Sequence, residues 1–168
     1  MQKRSMSQAA AGADIDVPAR EFLTFRLGGE SYGIEILKVQ EIRPYETPTA
    51  IANAPEFIKG VINLRGVIVP VLDLRIKFRL EQAVYDNFTV VIILNVAGRV
   101  IGAVVDFVSD VVTLLIDSIH PTPEFASNNF DTRYITGLAT LDDRMVILLD
   151  IEKLLSGADM ALVERESH

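Results

Sequence analysis

The chain of 168 residues has no cysteine, only two histidines and no long apolar run. Lack of cysteine excludes disulfides, thiolate metal sites and thiol nucleophiles together. His120 stands beside Pro121 and His168 ends the chain, so no histidine pair is placed to hold zinc. Apolar runs such as Val90 to Leu94 fall far short of the ~20 residues a membrane helix needs. Met1 to Arg20 has no apolar segment of the kind a secretory signal requires, so a cytoplasmic protein without membrane insertion is expected. Positive charge is also scarce. Sixteen Lys and Arg face 23 Asp and Glu, giving a formal charge of -7, and no basic cluster is present. Nucleic acid and anionic membrane surfaces are therefore not expected partners. No phosphate-binding loop or dinucleotide fingerprint occurs, and Gly28-Gly29-Glu30-Ser31 lacks the lysine a phosphate loop uses. No cofactor or metal is expected.

What is present is an internal duplication. Tyr32-Gly33-Ile34-Glu35-Ile36-Leu37-Lys38-Val39-Gln40-Glu41-Ile42 returns in spacing as Ile101-Gly102-Ala103-Val104-Val105-Asp106-Phe107-Val108-Ser109-Asp110-Val111. Ile58 to Leu64 followed by Pro70 to Leu74 returns as Ile135 to Leu141 followed by Ile147 to Ile151. The period is too long for a solenoid, which points to two similar packed lobes, roughly 21–80 and 87–155. Residues 1–20 and 163–168 are expected to be flexible tails.

Short alternating segments predict strands nearly throughout. In the first lobe they are Phe22 to Leu27, Tyr32 to Ile36, Val39 to Ile42, Val61 to Leu64 and Val67 to Leu72. In the second they are Phe88 to Val96, Arg99 to Val105, Val108 to Leu114, Gly137 to Leu141 and Met145 to Leu149. Gly28-Gly29 and Arg65-Gly66 mark hairpin turns. Pro55 to Lys59 suits one helical turn ending at Gly60, and Pro70 suggests an edge strand or a bulge. Helical patterns occur only at lobe ends, in Leu74 to Phe78, Ile151 to Leu155 and Met160 to Val163. The fold class is therefore all-β: two packed five-stranded barrels with short helices at lobe ends.

Two sets of residues invite a chemical reading. Asp73 and Asp150 occupy equivalent positions and could share a proton as a hydrolase dyad. Each is followed by a helical pattern rather than an amide-lined loop, which favours helix capping instead. Asn63-Leu64-Arg65-Gly66 places an arginine on a hairpin tip, where it can clamp a partner carboxylate or simply project into solvent.

Over about Glu21 to Leu162 the chain resembles the CheW family of bacterial chemotaxis coupling proteins. The resemblance rests on Glu21 to Phe25, Tyr32 to Arg43, Phe57 to Pro70, Asp73 to Phe78, Asp143 to Met145 and Asp150 to Leu155. It implies two SH3-like barrels and a non-catalytic adaptor joining the cytoplasmic tips of methyl-accepting chemoreceptors to the histidine kinase CheA, through the kinase's regulatory domain. Recruitment to the inner face of the membrane through receptors is implied as well. Carried over by motif, the partner-facing residues are Ile36, Val39, Glu41, Gly60, Arg65 and Gly66, with Val90, Gly102, Val108 and Val111 in the second lobe. A purine-type ligand in a cleft between the lobes is the alternative binding function, and the aspartyl dyad the alternative catalytic one.

Overall fold

A computed structural model describes residues 18–80, 83–122 and 134–154. Among the described residues ten strands run in the order β1 (Ala19–Leu27), β2 (Glu30–Glu35), β3 (Val39–Pro44), β4 (Ile58–Leu64), β5 (Val67–Asp73), β6 (Val90–Val96), β7 (Arg99–Val105), β8 (Phe107–Leu115), β9 (Ile135–Leu141) and β10 (Arg144–Leu149). Helix α1 (Leu74–Lys77) follows β5 and α2 (Ile151–Leu154) follows β10. Short 3-10 turns occupy Ile36–Lys38 and Ile116–Ser118. The strands form two five-stranded sheets, ordered β8-β1-β2-β10-β9 and β3-β6-β7-β5-β4.

The two sheets do not follow the sequence halves 21–80 and 87–155. Numbering each half from its own start, both sheets have the same order, but each takes its opening hairpin from the other half. Hairpin β6–β7 inserts between β3 and β5, and hairpin β1–β2 inserts between β8 and β10. The second sheet is consequently one continuous stretch, Val39 to Val105, enclosed by the two parts of the first. Sequence repetition reveals the repeating unit but not which copy a hairpin pairs with, because pairing is decided by packing.

Equivalent glycines show that the exchange is symmetric. Gly33 on β2 lies opposite Leu148 on the parallel neighbour β10, and Gly102 on β7 lies opposite Val71 on the parallel neighbour β5. A Cβ at Gly33 would stand 3.0 Å from Leu148 Cδ2, and one at Gly102 would stand 2.7 Å from Val91 Cγ1. The missing side chain is what lets each strand close over a filled interior.

Strand alternation builds three cores. Val91 and Ile93 point into the second barrel with Leu64, Val69, Val71 and Val104. Phe22, Leu114, Ala139, Val146 and Leu148 fill the first. The opposite faces of the same strands, including Leu23, Phe25, Ile92 and Leu94, meet in a larger core reached from both sheets. Burial of both strand faces explains why β6 reads as a continuous aliphatic run.

Two local expectations are corrected. Pro70 lies on β5, which is an interior strand between β7 and β4. The β5–β7 ladder starts only at Val71, so the proline's missing N–H interrupts no bond there, and the bulge falls on β4 between Ile58 and Gly60. Pro55 to Lys59 is not helical. Ile58 N donates to Pro55 O at 3.0 Å in a single turn, after which Ile58 opens β4 and Gly60 lies within that strand. The N-terminal tail expected over 1–20 ends earlier, since Ala19 and Arg20 already pair with Leu115 and Leu114 on β8. Residues 1–17, the pattern at Met160 to Val163 and the C-terminal tail lie outside the described residues.

Candidate functional site

The residues singled out from the sequence divide into three groups. Gly60 and Gly102 are buried, so neither supplies surface for a partner, which corrects that expectation. A Cβ on Gly60 would come within 2.0 Å of Thr49 O, and its φ of +141° is foreign to other residues. This close approach allows the chain beyond β3 to bridge to β4 through Thr49 and Val61. The equivalent Gly137 sits under the bridge between His120 and Leu138.

Ile36, Val39, Val90 and Val108 form the second group. Each is half-buried with its side chain against the shared core, leaving only part of the side chain available outside.

The third group reaches solvent. Strands β3 and β8 are each the terminal strand of a sheet and are equivalent in the duplication. Ile42 on β3 is 43% exposed and its counterpart Val111 on β8 is 45% exposed. In the same sheet, Val67 and Ile68 add further exposed aliphatic surface at the start of β5. Sequence periodicity missed Ile42, Val67 and Ile68, because a strand that turns its apolar residues outward has the same alternation as one that buries them.

Arg65 and Gly66 form the tip of hairpin β4–β5, with φ of 52° and 89°. Gly66 N donates to Asn63 Oδ1 at 2.8 Å, so the asparagine of this motif shapes the turn. Arg65 donates to Glu41 on β3, and Arg43 lies 3.6 Å from the other Glu41 oxygen. The hydrogen bond from Arg65 holds the Glu41 carboxyl below the ordinary glutamate range, and the same bond raises Arg65. In the other barrel the equivalent turn is Asp142-Asp143, and Asp110 stands where Glu41 does. Asp110 Oδ1 accepts from its neighbour Val111 N at 2.8 Å. The duplicated edges thus share shape and aliphatic character but present an arginine on one tip and aspartates on the other.

The carboxylate dyad is not assembled. Asp73 caps α1, accepting from Arg75 N at 2.9 Å, and Asp150 accepts from Lys153 N at 3.0 Å. Asp73 is further engaged by Arg75 Nε and Nη2, both at 2.9 Å, and by the Tyr85 hydroxyl. Arg75 is 2% exposed and Asp73 fully buried, an ion pair sealed inside the protein. Arg75 Nη1 also donates to Val84 O at 2.7 Å and to Asp106 Oδ1 at 3.0 Å, while its guanidinium lies 4.8 Å from the Tyr85 ring centroid. Burial alone would lower Arg75, but the bonds and charges of Asp73 and Asp106 outweigh it and hold the side chain well above the usual arginine range. This cluster was not legible in the sequence, since Arg75 reads there as an ordinary surface residue on a short helix.

A groove of about 100 Å³ between the first sheet and α2 is lined by Glu35, Lys38, Thr136, Leu149, Asp150, Ile151 and Glu152. Small-molecule sites are commonly about 300 Å³ or more and mostly apolar. A polar recess of this size offers a purine neither room nor stacking surface.

The family model of the CheW-like domain matches residues 21–159. The chemotaxis protein CheW of Klebsiella aerogenes is 61% identical over 145 residues, covering 86% of this chain and 87% of that protein. The probable chemotaxis protein CheW of Rhizobium etli is 36% identical over 137 residues, covering 82% and 88%. Among solved structures, the scaffolding protein TtCheW of Thermoanaerobacter tengcongensis superposes with a TM-score of 0.77 at 33% identity, covering 84% of this chain and 96% of that one. With the family pattern spanning both interleaved sheets and the fold matching along nearly the whole of a solved relative, this chain belongs to the CheW-like domain family.

Proposed function

We propose that this protein is a non-catalytic adaptor of bacterial chemotaxis, joining the cytoplasmic tips of transmembrane chemoreceptors to the histidine kinase CheA. The observation that carries the reading is the pair of equivalent edge strands, alike in exposed aliphatic residues, in two sheets whose equivalent hairpin tips differ in charge. One chain therefore holds two related surfaces that select different partners, which is what a coupling protein needs. The relatives are named chemotaxis and scaffolding proteins, consistent with this role.

Edge strands and aliphatic patches supply contact area, while Arg65 and Glu41 fix register by pairing with complementary charges. Signalling contacts that are individually weak gain strength when many receptors and kinases are joined. Signal passes through such a bridge only if a partner's two states bind it with different affinity. Among the described residues no helix is long and apolar enough to cross a membrane, and attachment to receptors would hold the adaptor at the inner face of the membrane.

The test is retention of this protein by an immobilised receptor cytoplasmic fragment and, separately, by CheA. Wild type is retained by both, and Arg65→Ala, shown folded by circular dichroism, is retained by only one. Folded wild type that neither partner retains would contradict the adaptor role.

A further inference from the structure

The described chain passes between the two sheets at two places, from β2 to β3 through Ile36–Lys38 and from β7 to β8 through Asp106. In the duplication these crossings are equivalent, with Leu37 in the place of Asp106 and Glu152 in the place of Arg75. Their fastenings differ. At the first, Leu37 is 87% exposed, and Lys38 lies 3.6 Å from Glu152 in a solvent-accessible ion pair.

At the second crossing, Asp106 is bound on three sides. Its Oδ1 accepts from Arg75 Nη1 at 3.0 Å, its Oδ2 from Gly28 N at 2.9 Å, and its own N donates to Arg26 O at 3.0 Å. Gly28 and Arg26 belong to hairpin β1–β2 and its turn in the first sheet, whereas Arg75 stands on α1 at the end of the second. Arg75 is itself immobilised by the fork to Asp73 and by the bond to Val84 O. Strand β8 begins one residue later, carrying Val108 and then Val111.

We infer that Arg75 is a positioning residue for the β8 edge, acting through Asp106 to fix where that partner-facing strand leaves the second barrel and joins the first. The side chain lies beneath the surface and touches no partner. It transmits the geometry of one barrel to the binding edge of the other. A planar guanidinium suits this role because its fork satisfies Asp73 while a remaining donor reaches Asp106, an arrangement lysine cannot reproduce. Strand β3, which follows the loosely fastened crossing, gains no such support and serves as the internal comparison.

The partner part of this inference rests on the adaptor reading, so the experiment has two readouts on the full chain. Asp106→Ala leaves the buried Asp73–Arg75 pair intact and is the main variant, with Arg75→Lys as the second. Amide hydrogen exchange compares β8 with β3, and affinities are measured for the receptor fragment and for CheA. In Asp106→Ala the β8 amides bonded to β1 exchange about tenfold faster while β3 amides bonded to β6 keep their rates. Affinity for one partner falls about tenfold and for the other stays unchanged. Arg75→Lys moves both readouts in the same direction. Unchanged exchange in β8, equal acceleration of β3 and β8, or unchanged affinity for both partners would overturn the inference. If wild type binds neither partner, the adaptor reading fails and the exchange pattern alone decides the positioning role.

Discussion

Arg65 on the β4–β5 hairpin tip and Glu41 on edge strand β3 form an ion pair across the second sheet. The partners are 24 positions apart in sequence, and only the curvature of the sheet brings them together.

This pair has a defined acid signature. The hydrogen bond from Arg65 lowers the folded Glu41 carboxyl below its ordinary 4.5. A carboxyl lowered on folding stabilises the protein above its unfolded pKa, and that contribution disappears as pH falls through the lower folded value. In a carboxyl-resolved NMR titration, Glu41 of wild type therefore has a midpoint below 4.5, and Arg65→Ala moves it upward. Identical midpoints in the two proteins would show that the pair does not form in solution.

Removing Arg75 has the opposite character, because its partner is sealed from water. Arg75→Met leaves Asp73 buried without its cation, which costs about 3–5 kcal/mol. Urea unfolding reads this as a lower midpoint with an unchanged slope. The double variant Asp73→Asn with Arg75→Met recovers much of the loss, since the uncompensated charge is gone.

Three tyrosines set an alkaline limit. Tyr32, Tyr45 and Tyr85 are all raised above the ordinary 10.0, chiefly by burial, with nearby Glu30 acting on Tyr32 and Asp73 on the other two. A tyrosine raised on folding costs nothing below pH 10.0, and stability falls as pH rises beyond that value because the unfolded chain ionises first. Phenolate absorbance followed beside circular dichroism therefore shows these tyrosines ionising late, along with unfolding. Full tyrosine ionisation of a chain with native circular dichroism would contradict the raised phenols.

The glycines give a graded series. Gly33→Ala meets the flexible end of Leu148 at 3.0 Å and costs about 1 kcal/mol. Gly102→Ala meets Val91 at 2.7 Å and costs about 1–3 kcal/mol. Gly60→Ala runs into the Thr49 carbonyl at a φ closed to alanine and costs about 3 kcal/mol or more. Thermal midpoints should fall in that order. Partner binding lost in the Gly60 variant then reports unfolding rather than a missing contact.

Much of this architecture was legible in the sequence. Alternation gave all ten strands, Gly28-Gly29 and Arg65-Gly66 gave their turns, and the paired motifs gave the duplication. Capping by Asp73 and Asp150 followed from the helical pattern after each. Exchange of hairpins between the halves did not follow, because β1–β2 and β6–β7 resemble each other too closely for local pattern to choose their sheet. The buried role of Arg75 escaped for a related reason: its partner Asp106 belongs to the other half and Val84 to the connection between the halves, and no motif spacing joins them. At the candidate surface, Arg65 and Glu41, carried over by motif, lie on a turn and an edge strand and pair with each other. Gly60 and Gly102 were misplaced there because a motif does not show whether a glycine opens a surface or fills a crowded interior.

The most direct test of the central claim is sedimentation velocity on a receptor cytoplasmic fragment and CheA, with and without this protein. The account predicts a species containing all three components, which disappears when the protein is omitted and weakens with folded Arg65→Ala. A receptor–kinase complex that forms equally well without it, or partners that only displace one another from it, would contradict the adaptor role.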